Sequence, residues 1–188
     1  MSVIRQLSSR TVYENRWLVV REDRVRRDDG SEGIYSVLSK PDFAVVIPLD
    51  GDQLTLVEQY RYPIGRRLWE FPQGSWEDEP DADPAALAAG ELAEETGLRA
   101  GTLRHLGFLW EASGYATQGG HVFLATDLRQ GERTVHREEQ DLRPGRFAVA
   151  EFEAMIRRGE IRDGPTVAAW GLYLVHGRAP TGSSGGSQ

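Results

Sequence analysis

The segment DPAALAAGELAEETGL, residues 83–98, constrains this chain more than any other stretch. Asp83 is a helix N-cap, with a side chain suited to the orphan amide protons of a first turn, and Pro84 fits the first helical position. Gly97 supplies the stop, because glycine takes the left-handed backbone that ends a helix. Between these signals Ala85, Ala88, Ala89, Leu92 and Thr96 fall on one face, suited to packing on a sheet. Glu91, Glu94 and Glu95 form a stripe beside that face, spanning about 100° of the helix surface. Like charges at this spacing destabilise a helix by about 0.2–0.5 kcal/mol per pair. They also sit in the C-terminal half, the unfavourable end of the macrodipole for an anion. A bound cation relieves both costs, and carboxylate oxygens on a rigid scaffold suit Mg²⁺ or Mn²⁺. On the helix alone, a solvated acidic face is the competing reading.

Strand signals lie on both sides of this helix. Residues 16–23 and 33–40 flank RRDDGSEG, whose Asp29-Gly30 marks a hairpin. The apolar runs 43–49 and 53–60 are joined by Asp50-Gly51-Asp52, a second tight turn. A short strand is expected over 66–72, then an acidic loop over 74–83, then strands over 102–112 and 120–128. Residues 137–145 read as a charged loop. Helical spacing returns over 148–159, ending at Gly159, and over 163–177, with Pro165 in the first turn. The tail 179–188 is small and polar, and disorder is expected there. Strands and helices are mixed rather than strictly alternating, which predicts an α+β or α/β sandwich around a mixed β-sheet.

Charge and composition narrow the function. The net charge of −7 argues against a nucleic-acid groove or an anionic membrane as partner. With no cysteine, disulfides, thiol nucleophiles and Cys-ligated zinc are excluded. The N-terminus has no apolar signal core, and no run approaches about 18 apolar residues, so a soluble cytoplasmic protein is expected. His121 and His136 are isolated along the chain and lack metal-ligand spacing.

The stretch GSWEDEPDADPAALAAGELAEETGL resembles the Nudix box, G-x5-E-x7-R-E-U-x-E-E-x-G-U, where U is a bulky aliphatic residue. Glu91, Leu92, Glu94, Glu95, Gly97 and Leu98 all match it. The resemblance runs over about residues 10–177: the segment before the box and IRRGEIRDGPTVAAW are similar to ADP-ribose and nucleotide-sugar pyrophosphatases. It implies a Nudix fold with an N-terminal antiparallel strand element over 1–40 and a Nudix domain over 41–178. It also implies hydrolysis of a nucleoside diphosphate linked to a group X, with Mg²⁺ or Mn²⁺ held by the box glutamates. ADP-ribose or a nucleotide sugar is the expected substrate. A dinucleoside polyphosphate, or nucleotide binding with impaired catalysis, are the alternatives. Similar enzymes are homodimers built through the N-terminal element.

Residue by residue, the resemblance makes Glu91 and Glu95 the leading metal ligands. Glu94 is a further ligand or holds the attacking water, and the backbone near Gln73 completes the metal shell. Glu139, in the loop after the sheet, is the expected second catalytic acid. Arg61 and Arg66 are expected at the pyrophosphate, where guanidinium pairs well with phosphate oxygens. Trp17 and Tyr35 offer aromatic faces to a nucleobase, Glu70 offers a carboxylate to a base or sugar, and Tyr115 borders the pocket. The chain departs from the pattern at four places. Gly90 replaces the arginine that orients the box carboxylates, and it costs the helix about 1 kcal/mol relative to alanine. Gly74 lies two residues early for the box, leaving its first glutamate out of register. ASGYATQ carries Gln118 where the branch has an acid, and Gln140 falls where the loop glutamate belongs.

Overall fold

The computed structural model describes residues 4–133 and 141–176. The first three strands form a separate antiparallel sheet in the order β1-β2-β3: β1 (Arg5–Glu14), β2 (Val19–Arg26) and β3 (Glu32–Ser39). The Asp-Gly hairpin joins β2 to β3 as the sequence predicts, with Gly30 at φ +82° and its turn closed by Arg27 and Ser31. β1 was not expected as a full strand. All ten of its residues are exposed, so it carries no buried alternation from which a strand is read.

The second sheet contains seven strands. Its spine is β10 (Arg143–Ala148), β5 (Gln53–Arg61), β4 (Phe43–Asp50), β9 (Gly119–Gln130) and β8 (Leu98–Trp110), in that spatial order. Two short strands join it where β5 and β4 part: β6 (Arg66–Glu70) pairs with β5, and β7 (Gln73–Gly74) pairs with β4. β4 and β9 are parallel, and the other pairings are antiparallel, so the sheet is mixed. The central strands are apolar on both faces because helices cover both. Along β4, Ala44 and Val46 face α1 (Pro84–Thr96), packing with Leu87, Ala88 and Leu92. Val45 and Ile47 face the other way, toward α2 (Val149–Arg158) and α3 (Gly164–His176), with Phe152, Met155 and Trp170. β9 alternates in step, with Phe123 and Ala125 on the α1 side and Val122 and Leu124 on the other. The result is the expected mixed sheet between helices.

α1 begins and ends where its caps dictate. The Asp83 carboxylate accepts from the Ala86 amide at 3.2 Å, and Gly97 is left-handed at φ +76°. One detail corrects the sequence reading. Ala89 is exposed, while Glu91 and Glu95 lie on the buried face with Leu92 and Thr96 rather than beside it. The helical pattern at 148–159 ends at Gly159, φ +71°, as expected. The tail 179–188 and the end of the last helical pattern at Gly177 lie outside the described residues. No helix among those described is long and apolar enough to cross a membrane.

Besides its apolar packing, α3 is tied to the segment after β6 by a buried hydrogen bond. The Thr166 hydroxyl accepts from the Phe71 amide at 2.9 Å, and Thr166 is fully buried. Thr166→Val keeps the shape and leaves that amide without its acceptor. A stability loss of about 1–3 kcal/mol is expected, read as a lowered urea midpoint. Thr166→Ser, which keeps the hydroxyl, is expected to recover most of it.

Candidate active site

The segment from β6 to α1 builds the site. After Glu70 the chain crosses Phe71-Pro72 and pairs briefly with β4 as β7, which lays its backbone along α1. Residues 73 and 74 then meet the two buried glutamates. The Gln73 amide donates to Glu95 Oε2 at 3.2 Å. Gly74 lies against the Glu91 carboxylate so closely that a Cβ there would sit 2.5 Å from Glu91 Oε2. A side chain at 74 would displace the Glu91 carboxylate from its present position. Glu91 and Glu95 are only 5% and 2% exposed, and Glu94 is half-buried.

Gly90 has a similar cause. A Cβ at 90 would fall onto Cζ2 of Trp76 and lie 3.2 Å from its Cη2. The indole occupies the groove that a side chain at 90 would fill. The missing arginine is therefore accompanied by an aromatic ring that turns its Cζ2 edge to the helix at position 90.

Beside α1 stands a polar network that holds an arginine. Arg61 Nε donates to Glu70 Oε1 at 2.9 Å, and its Nη2 makes a closer bond to Glu70 Oε2. The Gln73 side chain donates to Glu70 at 2.6 Å and to Asp163 at 3.1 Å. Asp163 in turn accepts from the Thr166 amide at 2.9 Å, capping α3. Burial pulls the Arg61 guanidinium down, but hydrogen bonds to Glu70 and the charges of Glu70, Asp163 and Glu95 outweigh it and hold the group above its ordinary value. Burial pushes the Glu70 carboxyl up, opposed by Arg61 and Gln73. The pair is ionised, because Arg61 keeps its charge and faces the carboxylate with two donors.

A cleft of about 540 Å³ opens over these groups, lined among others by Trp17, Lys40, Arg61, Gln73, Gly74, Glu77, Glu91, Glu111 and Asp163. A second cavity of about 540 Å³ shares Phe43, Ile64, Leu68, Glu111, Asp163 and Pro165 with it. That cavity is mainly apolar, with Leu109, Trp110, Tyr115 and Val122 in its wall.

The structure thus brings Glu91, Glu95, Gln73, Arg61 and Trp17 to one place. Glu70 is beneath it, fully buried and engaged with Arg61. Tyr115 is 61% exposed at the rim of the second cavity. Tyr35 donates its hydroxyl to the Gly114 carbonyl at 2.9 Å, tying the N-terminal sheet to the 112–118 loop rather than lining the cleft. Arg66 pairs in register with Arg61 across β5 and β6 and does not line the cleft. Neighbouring Arg67 is held by Glu58 at 2.9 Å and Asp141 at 2.6 Å. Glu139, with Gln140 and His136, lies outside the described residues. His121 is not isolated in space, since its Nδ1 is 3.3 Å from His105 Nε2. Gln118 is buried and donates to the Pro41 carbonyl at 2.7 Å, a structural role in place of the expected acid. Asp163 and Glu111 escaped the sequence reading. Asp163 has a signal, since Asp-Gly-Pro-Thr is a helix-start pattern in which the aspartate caps.

Among the described residues, no three His, Asp or Glu side chains are already gathered as a metal-binding group. A hard cation of the Mg²⁺ type does not require one. It takes one or two protein carboxylates and fills its shell with water and substrate phosphate oxygens. Two buried carboxylates one helical turn apart, Glu91 in the wall of an open cleft and Glu95 against the Gln73 backbone, fit that demand.

Comparison with known proteins agrees with this geometry. Residues 4–38 match the family described as nucleoside diphosphate sugar hydrolase N-terminal domain, and residues 39–170 match the NUDIX domain. An ADP-ribose pyrophosphatase of Mycobacterium tuberculosis is 35% identical over 172 residues, covering 90% of this chain and 82% of its own. A GDP-mannose pyrophosphatase of Citrobacter koseri is 34% identical over 87 residues, covering 45% of this chain and 46% of its own. A crystal structure titled as an ADP compounds hydrolase superposes with a TM-score of 0.79 at 23% identity, covering 92% of this chain and 91% of that one, and shares the fold. The box glutamates on a capped helix, the mixed sheet between helices and these matches together make the chain a member of the NUDIX family and a Nudix hydrolase.

Proposed function

We propose that the chain is a divalent-cation-dependent pyrophosphohydrolase acting on ADP-ribose or a nucleotide sugar, giving a nucleoside monophosphate and a sugar phosphate. The observation that carries this reading is the pair of buried carboxylates one helical turn apart, Glu91 on the wall of a cleft that also holds Arg61, and Glu95 bonded to the amide of Gln73 in that same wall. Mg²⁺ or Mn²⁺ on those carboxylates supplies charge neutralisation at the diphosphate and an activated water. Glu91, Glu95 and the backbone at Gln73 hold the ion in this reading. Glu94 holds the attacking water, and Glu139 is the second acid. Arg61 takes phosphate oxygens with its free edge while Glu70 fixes its orientation, so Glu70 serves the substrate through Arg61. Arg66 approaches the phosphates only after moving. Trp17, with Arg16 stacked 5.1 Å from its ring centroid, offers a face to the base. Tyr35 helps through the 112–118 loop, and Tyr115 borders the second cavity. The relatives' printed activities, on ADP-ribose and GDP-mannose, are of the same class.

A homodimer belongs to the same reading. β1 presents a ten-residue exposed edge carrying Leu7, Val12 and Tyr13, and a bare edge of this length pairs readily with another copy. Sedimentation of the wild type is expected to give a dimer, and Leu7→Lys with Val12→Lys a monomer. A monomeric wild type rejects the assembly.

The decisive assay is product release from ADP-ribose, nucleotide sugars and dinucleoside polyphosphates with Mg²⁺ or Mn²⁺. ADP-ribose or a nucleotide sugar is expected to turn over best, and Glu95→Gln to lower the rate by about 100-fold or more. Turnover that is indifferent to chelation of the cation, or to Glu95→Gln, defeats the mechanism. Preference for a dinucleoside polyphosphate replaces the substrate. Arg61→Lys keeps a charge beside Glu70 but loses the planar fork. Its KM is expected to rise by about tenfold, the loss of one charged hydrogen bond, and its melting temperature to fall, because the fully buried Glu70 carboxylate loses one of its donors.

A further inference from the structure

We propose that Trp76 and Gly90 form a steric lock that positions the Gln73–Gly74 backbone against the carboxylates of α1. Trp76 is thus a positioning residue for the hydrolase, acting by shape at the helix position where an arginine acts by charge. The proposal rests on the divalent-cation reading above.

Three contacts succeed one another along the segment and the helix. Gln73 meets Glu95 through its amide, Gly74 meets Glu91 through its backbone, and Trp76 covers Gly90. The numbering rises on the segment and falls on the helix, so the segment runs antiparallel to α1 along one edge of it. β4 holds the segment from the other side, with Gly74 opposite Ala44 and Gln73 opposite Val45. Trp76 is where this clamp is closed. It packs against the cluster of Ala44, Leu87, Ala88 and Leu92. Beyond it the chain turns away at once, with the Glu79 amide bonded to the Trp76 carbonyl at 3.1 Å and the Ala82 amide to the Glu79 carbonyl at 3.0 Å. Asp78, Glu79, Pro80 and Asp81 are exposed. The indole is therefore the main apolar anchor between β7 and the N-cap of α1. If it lifts, Gly74 moves away from Glu91, and the Glu91 carboxylate gains rotamers it does not have now. The edge of the ring comes this close to the helix only because position 90 has no side chain. Any Cβ there collides with it.

The test uses the full chain with Gly90→Ala, Trp76→Ala and the double variant. Two quantities are read: Mn²⁺ affinity, from the paramagnetic resonance of free Mn²⁺, and amide hydrogen exchange of residues 73–77 without metal. Alanine is the better helix former, so helix propensity alone predicts that Gly90→Ala is harmless or stabilising. The lock predicts the reverse. Gly90→Ala is expected to weaken Mn²⁺ binding by about tenfold, the scale found for residues that orient metal ligands. It is also expected to speed exchange at 73–77. Trp76→Ala is expected to do the same, and the double variant to lose no more than either single, since both remove one contact. If Gly90→Ala does not fold, Trp76→Ala and Trp76→Phe carry the test, with phenylalanine expected to fall between tryptophan and alanine in Mn²⁺ affinity. Variants that fold, bind Mn²⁺ as the wild type does and exchange no faster at 73–77 overturn the lock while leaving the hydrolase reading intact. Summed losses in the double variant overturn it too. A wild type that binds no Mn²⁺ overturns the cation reading itself.

Discussion

Two carboxylates on the packed face of a helix set the terms for this molecule. Glu91 and Glu95 are nearly as inaccessible as Leu92 between them. Buried carboxylates cost several kcal/mol each unless hydrogen bonds or a counter-charge meet them. The helix adds to the cost, since both lie in its C-terminal half. Among what meets them is backbone: the Gln73 amide donates to Glu95, and Gly74 lies against the Glu91 carboxylate. β7 is only two residues long, and its pairing with β4 fixes that backbone within reach.

The same carboxylates explain the company Arg61 keeps. A polyanionic substrate must enter a protein with net charge −7, so positive potential has to be local. Arg61 and Lys40 are the basic residues that line the cleft, and Arg61 is set among Glu70, Asp163 and Glu95. Full burial of Glu70 makes its position rigid, and two donors of the guanidinium are committed to it. The remaining edge is aimed rather than free to wander. Gln73 joins this arginine to the rest. Its amide serves Glu95, and its side chain bonds both Glu70 and Asp163. Through Asp163 the network reaches the first turn of α3, so helices on opposite faces of the sheet are tied to one cleft.

Much of this was legible in the sequence because it depends on local rules. The caps Asp83 and Gly97 bound α1, the Asp-Gly turns made both hairpins, and apolar runs marked β4, β5 and β9. The glutamate triplet located the site. What was not legible depends on distant partners. β1 is exposed on every residue, so its strand character comes from pairing with β2 and not from its own pattern. β10 begins Arg-Pro-Gly, which reads as a loop, yet β5 pairs with it residue by residue. β7 is too short to carry any period. Periodicity placed the glutamates beside the buried face because charged residues are expected outside; the structure turns them inward. Tyr35 and Gln118 carried no sign that their side chains are bonded to the backbone of segments some 80 residues away in the chain.

Gly90 shows most clearly why one position cannot be read alone. Taken with the helix, it is a defect: a flexible residue in mid-helix, costing about 1 kcal/mol, where a favourable charge is expected. Taken with Trp76, it is one half of a contact. An indole lying on the helix removes apolar surface from water at about 25 cal/mol per Å², so covering even some tens of Å² offsets the propensity cost. An arginine at 90 orients carboxylates by attraction, which weakens with salt and distance. A ring wedged between strand and helix orients them by exclusion, which does not. The two devices are mutually exclusive in space, since the ring occupies the first atom of any side chain at 90. The absence of the arginine is thus a consequence of packing, and Glu91 and Glu95 keep their geometry because the backbone beside them has nowhere else to go.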